Sequence, residues 1–366
     1  MLDSKKVVQD TITKHSSHRM PIDFMPAQKT YESLSASLGF PLDFRGEKEL
    51  LDYFGVDMYY LSTRDISQNE GFHKCWKKTP VMSDLVRTCS LGIGWHRGAY
   101  TAKFSVDECC KSPLAGCTDE KQILSYPWPT HKDFDFSILL QEAELQKDRS
   151  IVGGLWSGIM GDSYRLIGFE EFLFNIAMEP KFTHTLINTL KDVYMELNEA
   201  YFTTMKGHMD IWFFGNDFGA QASMLMSVPM WYEFFYEPIK DLCGHAHSHG
   251  LKVMMHSCGS IVPIIDYLIE AGVDILDPIQ ITAEGMIPGQ LSEKFGDRIT
   301  FHGGIDTQQV LPFGTKEEVA SHVRDVTSKL SAKGGYIASS SQIYGDDIPL
   351  ENILTVYETL REINKS

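Results

Sequence analysis

Short apolar runs alternate along the chain with longer segments whose hydrophobic residues have a helical spacing. Among the later runs, helices predicted at 230–249, 261–271 and 316–333 each end at a glycine, the residue that favours the left-handed conformation just past a helix. Strands that alternate with helices predict a parallel sheet, and eight strand–helix units predict an α/β fold closed into a (β/α)8 TIM barrel. The eight predicted strands cover residues 22–25, 56–61, 151–156, 211–214, 251–255, 273–276, 299–301 and 335–338.

The regular alternation fails between the second and third predicted strands. We interpret the segment at about 63–150 as a long insert after the second strand, with a β-rich excursion over the barrel mouth as one hypothesis for its structure. The residues before the first strand form an N-terminal extension. Because no linker or low-complexity tract divides the chain, we expect residues 1–366 to form a single barrel domain.

Composition and charge narrow the class of protein. A chain of 366 residues that is 43% hydrophobic and 22% charged has ample material for one core. The formal net charge of −16 disfavours nucleic acid and a purely electrostatic membrane anchor as partners, because both surfaces are anionic. No apolar run reaches the ~18 residues of a membrane span, and the polar start has no signal-peptide core. The seven cysteines lack a disulfide spacing, so we expect free thiols and a cytoplasmic protein.

His256 and Cys258 follow directly after the strand predicted at 251–255. Side chains two positions apart on an extended backbone point to the same side, so the imidazole and the thiol face one direction together. This donor pair suits zinc, if any metal is bound, and barrel enzymes place their active sites at the carboxyl ends of their strands. The alternative is a buried cysteine beside a hydrogen-bonded histidine, and the spacing alone does not decide between the two.

Polar side chains also follow the neighbouring predicted strands. With His256, the candidate catalytic residues are Asp217, as a general acid or base or a ligand orienter, and Asp306. The alternatives are an Asx turn for Asp217 and capping of the next helix for Asp306. Polar residues at four consecutive strand ends together predict one binding site at the barrel mouth. The candidate substrate-binding residues at these ends are Asn216, Gln221, Asp277, Gln280 and His302.

Three histidines at alternate positions, His245, His247 and His249, lie near the end of the helix predicted at 230–249. This spacing does not bring three side chains to one face of a helix. We therefore interpret the run as favourable contacts of imidazoles with the helix C-terminus and not as a set of three metal ligands.

Several segments of the second half share their order and spacing with one known superfamily. They are the loop 215–221, the stretch 230–261 that contains HSCGSI, GVDILDPIQ at 272–280, FGDRITFHGGIDTQQVLPFGTKEEV at 295–319, GGYIASSSQI at 334–343 and PLENI at 349–353. In these segments the chain resembles the uroporphyrinogen-decarboxylase superfamily over roughly residues 200–360, and the resemblance implies a (β/α)8 barrel. The motifs are specific for the superfamily but not for one of its reactions.

Residues near the N-terminus discriminate between the two activities that the resemblance implies. One group of the superfamily removes carboxylates from uroporphyrinogen, and the other transfers methyl groups to or from corrinoid proteins. The decarboxylases carry an arginine-rich PVWxMRQAGR segment, whereas residues 21–30 here read PIDFMPAQKT, without either arginine. Because the carboxylates of that substrate require such cations, the chain looks more like the corrinoid-dependent methyltransferase branch.

The resemblance also implies a zinc site, which this sequence matches only in part. Methyltransferases of the branch hold zinc on H-x-C and a distant cysteine. His256 and Cys258 match the first two positions, but the third falls on Gln342, a poor zinc ligand. The site is therefore incomplete, completed by another residue such as Asp217 or His302, or absent. This departure fits a methoxylated or methylated donor better than it fits activation of a thiol.

The function implied by the resemblance is methyl transfer between a small methylated or methoxylated substrate and a corrinoid. Both an O-demethylase-type enzyme and a methylcobamide:thiol methyltransferase fall within it. The corrinoid would be carried on a partner protein, because nothing in the sequence suggests a cobalamin-binding domain. Gln342 and Tyr344 would contact the substrate, and a homodimer is an allowed assembly. A decarboxylase of the uroporphyrinogen type and a non-catalytic ligand-binding barrel stay open as alternatives.

Overall fold

Two sheets organise the protein in a computed structural model, which describes residues 4–15, 18–61, 74–78, 81–83, 86–99 and 105–365. The strands are β1 (Met58–Tyr60), β2 (Val81–Ser83), β3 (Val86–Thr88), β4 (Gly94–Ala99), β5 (Ser105–Lys111), β6 (Ser150–Trp156), β7 (Ile211–Gly215), β8 (Lys252–His256), β9 (Ile275–Asp277), β10 (Thr300–Ile305) and β11 (Tyr336–Ser340). Strands β1 and β6 to β11 form a seven-stranded parallel sheet in chain order, and β2 to β5 form a four-stranded antiparallel sheet. The first sheet curls into the TIM-barrel-like fold that the sequence predicts.

The segment around Ile22 joins the two edges of the parallel sheet. Its carbonyl accepts a hydrogen bond from the N–H of Asp57, just before β1, at 2.8 Å. On the other side, the N–H of Asp23 donates to the carbonyl of Ala338 in β11 at 2.9 Å. The first predicted strand is therefore wrong in form, since only isolated bridges occur there. One reason is that the N–H of Ile22 donates to the Asp57 carboxylate at 3.0 Å, so it is not available for a hydrogen bond between strands.

Helices surround the barrel and connect its strands. No helix of the described residues is long and apolar enough to cross a membrane. The α-helices are α1 (Ser4–Ile12), α2 (Gln28–Leu38), α3 (Phe44–Phe54), α4 (Glu120–Leu124), α5 (Leu140–Leu145), α6 (Ile159–Ile167), α7 (Phe169–Met178), α8 (Pro180–Thr204), α9 (Val228–Trp231), α10 (Glu237–Ser248), α11 (Ile265–Ala271), α12 (Pro288–Phe295), α13 (Val310–Phe313), α14 (Lys316–Leu330) and α15 (Leu350–Ile363).

One predicted helix is interrupted. The segment predicted as a single helix at 230–249 consists of α9, a π-helical turn at Tyr232–Tyr236, and α10. Pro238 at the start of α10 has no N–H to continue the hydrogen-bond ladder of an α-helix, which accounts for the change of winding just before it.

Apolar side chains fill the interior of the barrel in one layer. Val8 and Ile12 of α1, in the N-terminal extension, pack into this layer from the amino end. Tyr60 and Phe213 pack against it two residues further along their strands, towards the carboxyl end. The interior of the barrel is thus packed with side chains, and its free space lies on the carboxyl side of the Tyr60 and Phe213 rings. The strand residues of the layer are Met58, Val152, Ile211, Met254, Ile275 and Ile337.

The described part of the insert contains the antiparallel sheet β2 to β5 and also the helices α4 and α5, and its position over the barrel mouth stays a prediction. Its antiparallel sheet contacts α6, because the guanidinium of Arg165 lies 5.2 Å from the ring centroid of Trp95 in β4. The N–H of Leu114 also donates to the carbonyl of Leu166 at 2.8 Å. These contacts place the sheet beside the helix that follows β6. Residues 62–73, 79–80, 84–85 and 100–104, most of them in the predicted insert, lie outside the described residues.

Candidate active site

His256, Cys258 and Asp217 come together at the carboxyl ends of β7 and β8. The imidazole Nε2 of His256 lies 3.3 Å from the Sγ of Cys258 and 3.5 Å from the Oδ1 of Asp217. One donor atom of each residue lies within 4.8 Å of those of the other two. We call these three residues the ligand cluster. A nitrogen, a sulfur and a carboxylate oxygen are a donor set that suits zinc.

Two glycines bring the loops after β7 and β8 into direct backbone contact. A Cβ on Gly219 would lie 2.7 Å from the carbonyl oxygen of Cys258, and a Cβ on Gly259 would lie 2.4 Å from the carbonyl carbon of Gly219. Gly259 also has a φ of 85°, which disfavours any other residue. At this close approach, the N–H of Cys258 donates to the Oδ1 of Asp217 at 2.9 Å. The contact between the loops therefore fixes Asp217 beside Cys258.

A row of hydrogen bonds runs from His256 into the barrel. The Nδ1 of His256 lies 2.7 Å from the Oδ2 of Asp277, whose Oδ1 lies 2.6 Å from the Nδ1 of His302. The Nε2 of His302 lies 2.9 Å from the Oδ2 of Asp23, which also accepts from the hydroxyl of Tyr60 at 2.9 Å. Asp277, His302 and Asp23 are fully buried. We call Asp277, His302, Asp23 and Tyr60 the buried network.

The charges of the buried network compensate each other. Burial lowers the pKa of His302, but Asp277 and Asp23 raise it by more, to about 9. Burial raises the pKa of Asp277, but His302 and His256 lower it by more, to about 2. Burial likewise lowers the pKa of His256, which Cys258 and Asp277 raise by more. At neutral pH, His302 is therefore an imidazolium that donates from both ring nitrogens to two carboxylates.

The three residues considered as the third zinc ligand differ in whether they have a donor atom available for a metal. His302 has both ring nitrogens engaged by carboxylates, so neither is available to a metal. The Nε2 of Gln342 lies 3.8 Å from the Sγ of Cys258, and its Oε1 accepts from the N–H of Ile343 at 3.0 Å. Asp217 has a carboxylate oxygen beside both His256 and Cys258. Asp217 is therefore the residue placed to complete a metal site.

Three amide side chains predicted at the mouth bind backbone groups of the loops. The Oε1 of Gln280 accepts from the N–H of Gly259 at 2.8 Å, and its Nε2 donates to the Oε1 of Gln221 at 3.1 Å. Asn216 is buried, and its Oδ1 accepts from the N–H of Met160 at 2.8 Å. These contacts brace the loops around the ligand cluster. Whether the same amides also contact a substrate stays a prediction.

Asp306 and Tyr344 have contacts of a different kind. The two oxygens of Asp306 accept from the N–H groups of Gln308 at 2.7 Å and of Val310 at 3.3 Å, so this side chain binds the backbone of the loop that leads into α13. It is not the N-cap of α13, which is Gln309. Tyr344 is fully buried, accepts from the hydroxyl of Tyr357 at 3.3 Å, and packs in the core.

A cavity of about 520 Å³ opens beside the ligand cluster. Trp156 and Phe213 line it, with ring centroids 5.6 Å apart, and the ring of Trp156 lies 5.2 Å from that of His256. Aromatic and aliphatic side chains dominate the lining, and no Lys, Arg or His is among its described residues. The cavity therefore suits an apolar ligand. Its polar side chains are Gln28, Tyr31, Asp43, Glu47, Tyr59 and Tyr60.

The conformation of Trp156 is unusual, and the sequence analysis did not assign this residue to the site. Trp156 and Ser157 have φ values of 66° and 41°, a region that non-glycine residues rarely adopt and that clusters at functional sites. A Cβ on Gly215 would lie 2.2 Å from the indole, so the ring occupies space that only glycine leaves open. A tryptophan at the end of one predicted strand and a glycine after the next were the available signals.

Asp23 and Tyr60 were also missed by sequence reasoning. Asp23 bonds to His302 across 279 positions of the chain, and no local pattern marks such a pairing. The one available signal was an acidic residue in the apolar stretch PIDF, which requires a partner if it is buried.

Comparisons with known proteins agree with this architecture. The uroporphyrinogen decarboxylase (URO-D) family model matches residues 137–363. A methyltransferase from Methanosarcina mazei has a similar structure, with a TM-score of 0.69, 14% sequence identity and 99% of both chains covered. Xylanase 10B from Thermotoga maritima has a TM-score of 0.39 at 12% identity, over 68% of this chain and 86% of its own, and carries no argument. No curated protein sequence matches the chain. By the family model, the chain belongs to the uroporphyrinogen decarboxylase family.

Proposed function

We propose that this protein is a methyltransferase that moves a methyl group between a small methylated or methoxylated molecule and a corrinoid carried by a partner protein. The observation that carries the proposal is the ligand cluster beside an apolar cavity at the carboxyl end of the barrel. A methyltransferase from Methanosarcina mazei with the same fold over 99% of both chains supports it.

The donor atoms of the ligand cluster fit a zinc ion. His256, Cys258 and Asp217 would be its ligands. Behind them, the Asp277 carboxylate accepts from the Nδ1 of His256 at 2.7 Å, which directs the lone pair of Nε2 towards the cluster. Carboxylate–histidine pairs of this kind orient metal ligands in proteins.

The chemistry required is assistance to the atom that loses the methyl group. When bound, zinc would supply a Lewis acid for the leaving oxygen. The alternative role of Asp217, without a metal, is that of a general acid for the same oxygen, because its side chain is 50% exposed and faces the open side of His256. Gln342 presents an amide N–H beside Cys258 and can donate to the same atom. Trp156 and Phe213 hold the apolar part of the donor and exclude water from it.

The cavity distinguishes between the two activities of the family. Uroporphyrinogen carries many carboxylates, which require cationic partners on the protein. The described lining has carboxylates at Asp43 and Glu47 and no cationic side chain. These features favour an uncharged methyl donor over a polycarboxylate.

An assay of methyl transfer tests the proposal. Purified protein is mixed with a reduced corrinoid protein and a panel of methoxylated aromatics and methylamines, and formation of the methylated corrinoid is followed by its absorption spectrum. We expect turnover with at least one donor. Absence of methyl transfer with every donor and with thiols, together with tight binding of an apolar ligand, would favour the binding-protein alternative. Release of carboxylate from uroporphyrinogen would favour the decarboxylase.

A variant of Asp217 sharpens the assay. We expect Asp217→Asn to reduce turnover by about 100-fold or more, because it removes either the anionic ligand or the acid while keeping the hydrogen bond to Cys258. Ser223→Ala, an exposed position in the same loop after β7 but outside the ligand cluster and the candidate substrate contacts, is the matched control. Unchanged turnover in Asp217→Asn, at an unchanged melting temperature, would remove Asp217 from the proposed chemistry.

A further inference from the structure

A second cluster of donor atoms lies on the outer helices of the barrel. Glu199 is on α8, His245 is on α10, and His249 directly follows α10. The Oε2 of Glu199 lies 2.8 Å from the Nε2 of His245 and 3.1 Å from the Nε2 of His249. All three atoms lie within 4.8 Å of one another. We propose that Glu199, His245 and His249 bind a first-row divalent cation such as Zn²⁺.

The two histidines meet because they are four positions apart. Residues at that spacing lie one above the other on one face of a helix, and paired histidines so placed are a common zinc-binding arrangement. Sequence reasoning considered ligands only within the run of three histidines. The third ligand comes instead from α8, whereas the middle residue, His247, points elsewhere and bonds to Asp274 at 2.8 Å.

Neighbouring side chains hold the three ligands in place. The Oγ1 of Thr203 donates to the Oε1 of Glu199 at 3.2 Å, which leaves Oε2 facing the two imidazoles. The ring of Phe202 lies 5.3 Å from each imidazole and packs against both. Such outer partners fix the orientation of ligand side chains and strengthen metal binding.

The distances from Glu199 to the two histidines require little movement to accept a metal. Bonds of about 2.0–2.1 Å to a tetrahedral zinc ion place neighbouring ligand atoms about 3.3 Å apart. The two distances from Glu199, 2.8 and 3.1 Å, need to widen by only a few tenths of an ångström. The side chains of Glu199, His249 and His245 are 58%, 21% and 11% exposed, so water can complete the coordination.

The position of this site indicates what the cation does. Helix α10 leads into the start of β8, and the ligand cluster lies at the other end of the same strand. The cation would therefore bridge α8 and α10 at the end of the barrel remote from the candidate active site. Because binding to the folded state alone stabilises it, we infer a structural role with no direct part in methyl transfer.

Counting bound metal in matched variants tests the inference. Full-length protein is stripped of metal, reloaded with Zn²⁺ or Co²⁺, desalted, and analysed for metal content and melting temperature. We expect His249→Ala and Glu199→Gln each to bind one equivalent less than the wild type and to lose part of the rise in melting temperature on adding Zn²⁺. His247→Ala, two residues away on the same helix, is the control and should match the wild type.

Cobalt distinguishes this site from the ligand cluster. A Co²⁺ ion at Glu199, His245 and His249 has no sulfur ligand, so its spectrum lacks a thiolate charge-transfer band. That ion should persist in Cys258→Ala, whether or not the protein transfers methyl groups. If His249→Ala and Glu199→Gln bind as much metal as the wild type, or if all bound metal is lost in Cys258→Ala, the inference is wrong.

Discussion

The two sides of His256 differ in how far their polar groups are already satisfied. On the solvent side, Asp217 is 50% exposed, and the thiol of Cys258 has hydrogen-bond contacts with the His256 ring and the Gln342 amide. On the inner side, the Asp277 side chain is 1% exposed, and both of its oxygens are bound by histidines. The solvent side has donor atoms to offer to a ligand, whereas both oxygens of Asp277 on the inner side are already bound.

The His256 ring therefore connects the ligand cluster with the buried network, and substitutions in these two sets of residues should have different effects. A charge in the buried network has no water to replace a lost partner, so its removal lowers the free energy of unfolding. A group of the ligand cluster is accessible to solvent, so its removal leaves the fold intact and is expected to change chemistry. Substitutions on the two sides should therefore separate stability from activity.

The largest effect is expected from His302→Gln. Removing the imidazolium leaves Asp23 as a buried carboxylate without a cation and Asp277 with His256 alone, and breaking a buried ion pair costs about 3–5 kcal/mol. Urea denaturation measures the free energy of unfolding, and His247→Gln at the surface is the control. A decrease in the free energy of unfolding below about 1 kcal/mol would contradict the difference described between the inner side and the solvent side of His256.

The same interaction predicts a pH dependence of stability. The pKa of His302 is raised from 6.5 to about 9 in the folded protein, so its contribution is complete below pH 6.5 and is lost as the pH rises to 9. The pKa of Asp277 is lowered from 3.8 to about 2, so its contribution is lost as the pH falls through that range. We expect wild-type stability to fall between pH 6.5 and 9, and to fall less in His302→Gln. Equal slopes in the two proteins would contradict this.

Cys258→Ala should reduce metal binding and activity but leave the stability of the fold almost unchanged. We expect one equivalent of zinc to be lost and methyl transfer to fall by more than about 100-fold, beyond the range typical for residues that only support a ligand. Because the site is accessible, the free energy of unfolding of the metal-free protein should change by less than about 0.5 kcal/mol. Zinc that stays in the ligand cluster of Cys258→Ala would remove this residue from the proposed site.

Asp277→Asn is expected to have the smallest effect on activity, and it tests where the two systems join. Asp277 orients His256 and also neutralises His302, so the substitution should weaken zinc binding by about 10- to 100-fold and destabilise the fold. Zinc affinity measured by competition with a chelator, beside urea denaturation, gives both effects. A change in only one of them would show that Asp277 belongs to one side alone.

Much of the second half of the fold could be predicted from the sequence, because each unit carries its own signals. The strand predicted at 251–255 is β8 at Lys252–His256, and the helix predicted to end at Ala271 ends there, before Gly272. Short apolar runs and glycines at helix ends act locally, so predictions based on them do not depend on the rest of the chain. The first predicted strand failed because the Asp57 carboxylate, a distant group, takes the hydrogen bond of Ile22.

The site was predictable only where its geometry is local. The spacing of His256 and Cys258 directs both to one side of the extended backbone, and the structure has them 3.3 Å apart. The partners of His302 were not predictable, because Asp23 is joined to it by tertiary packing alone. Trp156 was missed for a similar reason, since its ring lies over a glycine of the neighbouring strand.

Closure of the barrel at Ile22 has a consequence for the order of events during synthesis. Asp23 is made before Ala338, to whose carbonyl its N–H donates, and before His302, which shares the Asp23 carboxylate with Tyr60. A growing chain therefore holds Asp23 without its cation until His302 has been made, and the segment around Ile22 without one of its two neighbours until Ala338 has been made. The parallel sheet and the buried network cannot be completed in stages from the N-terminal side, because both join residues that are far apart in the chain.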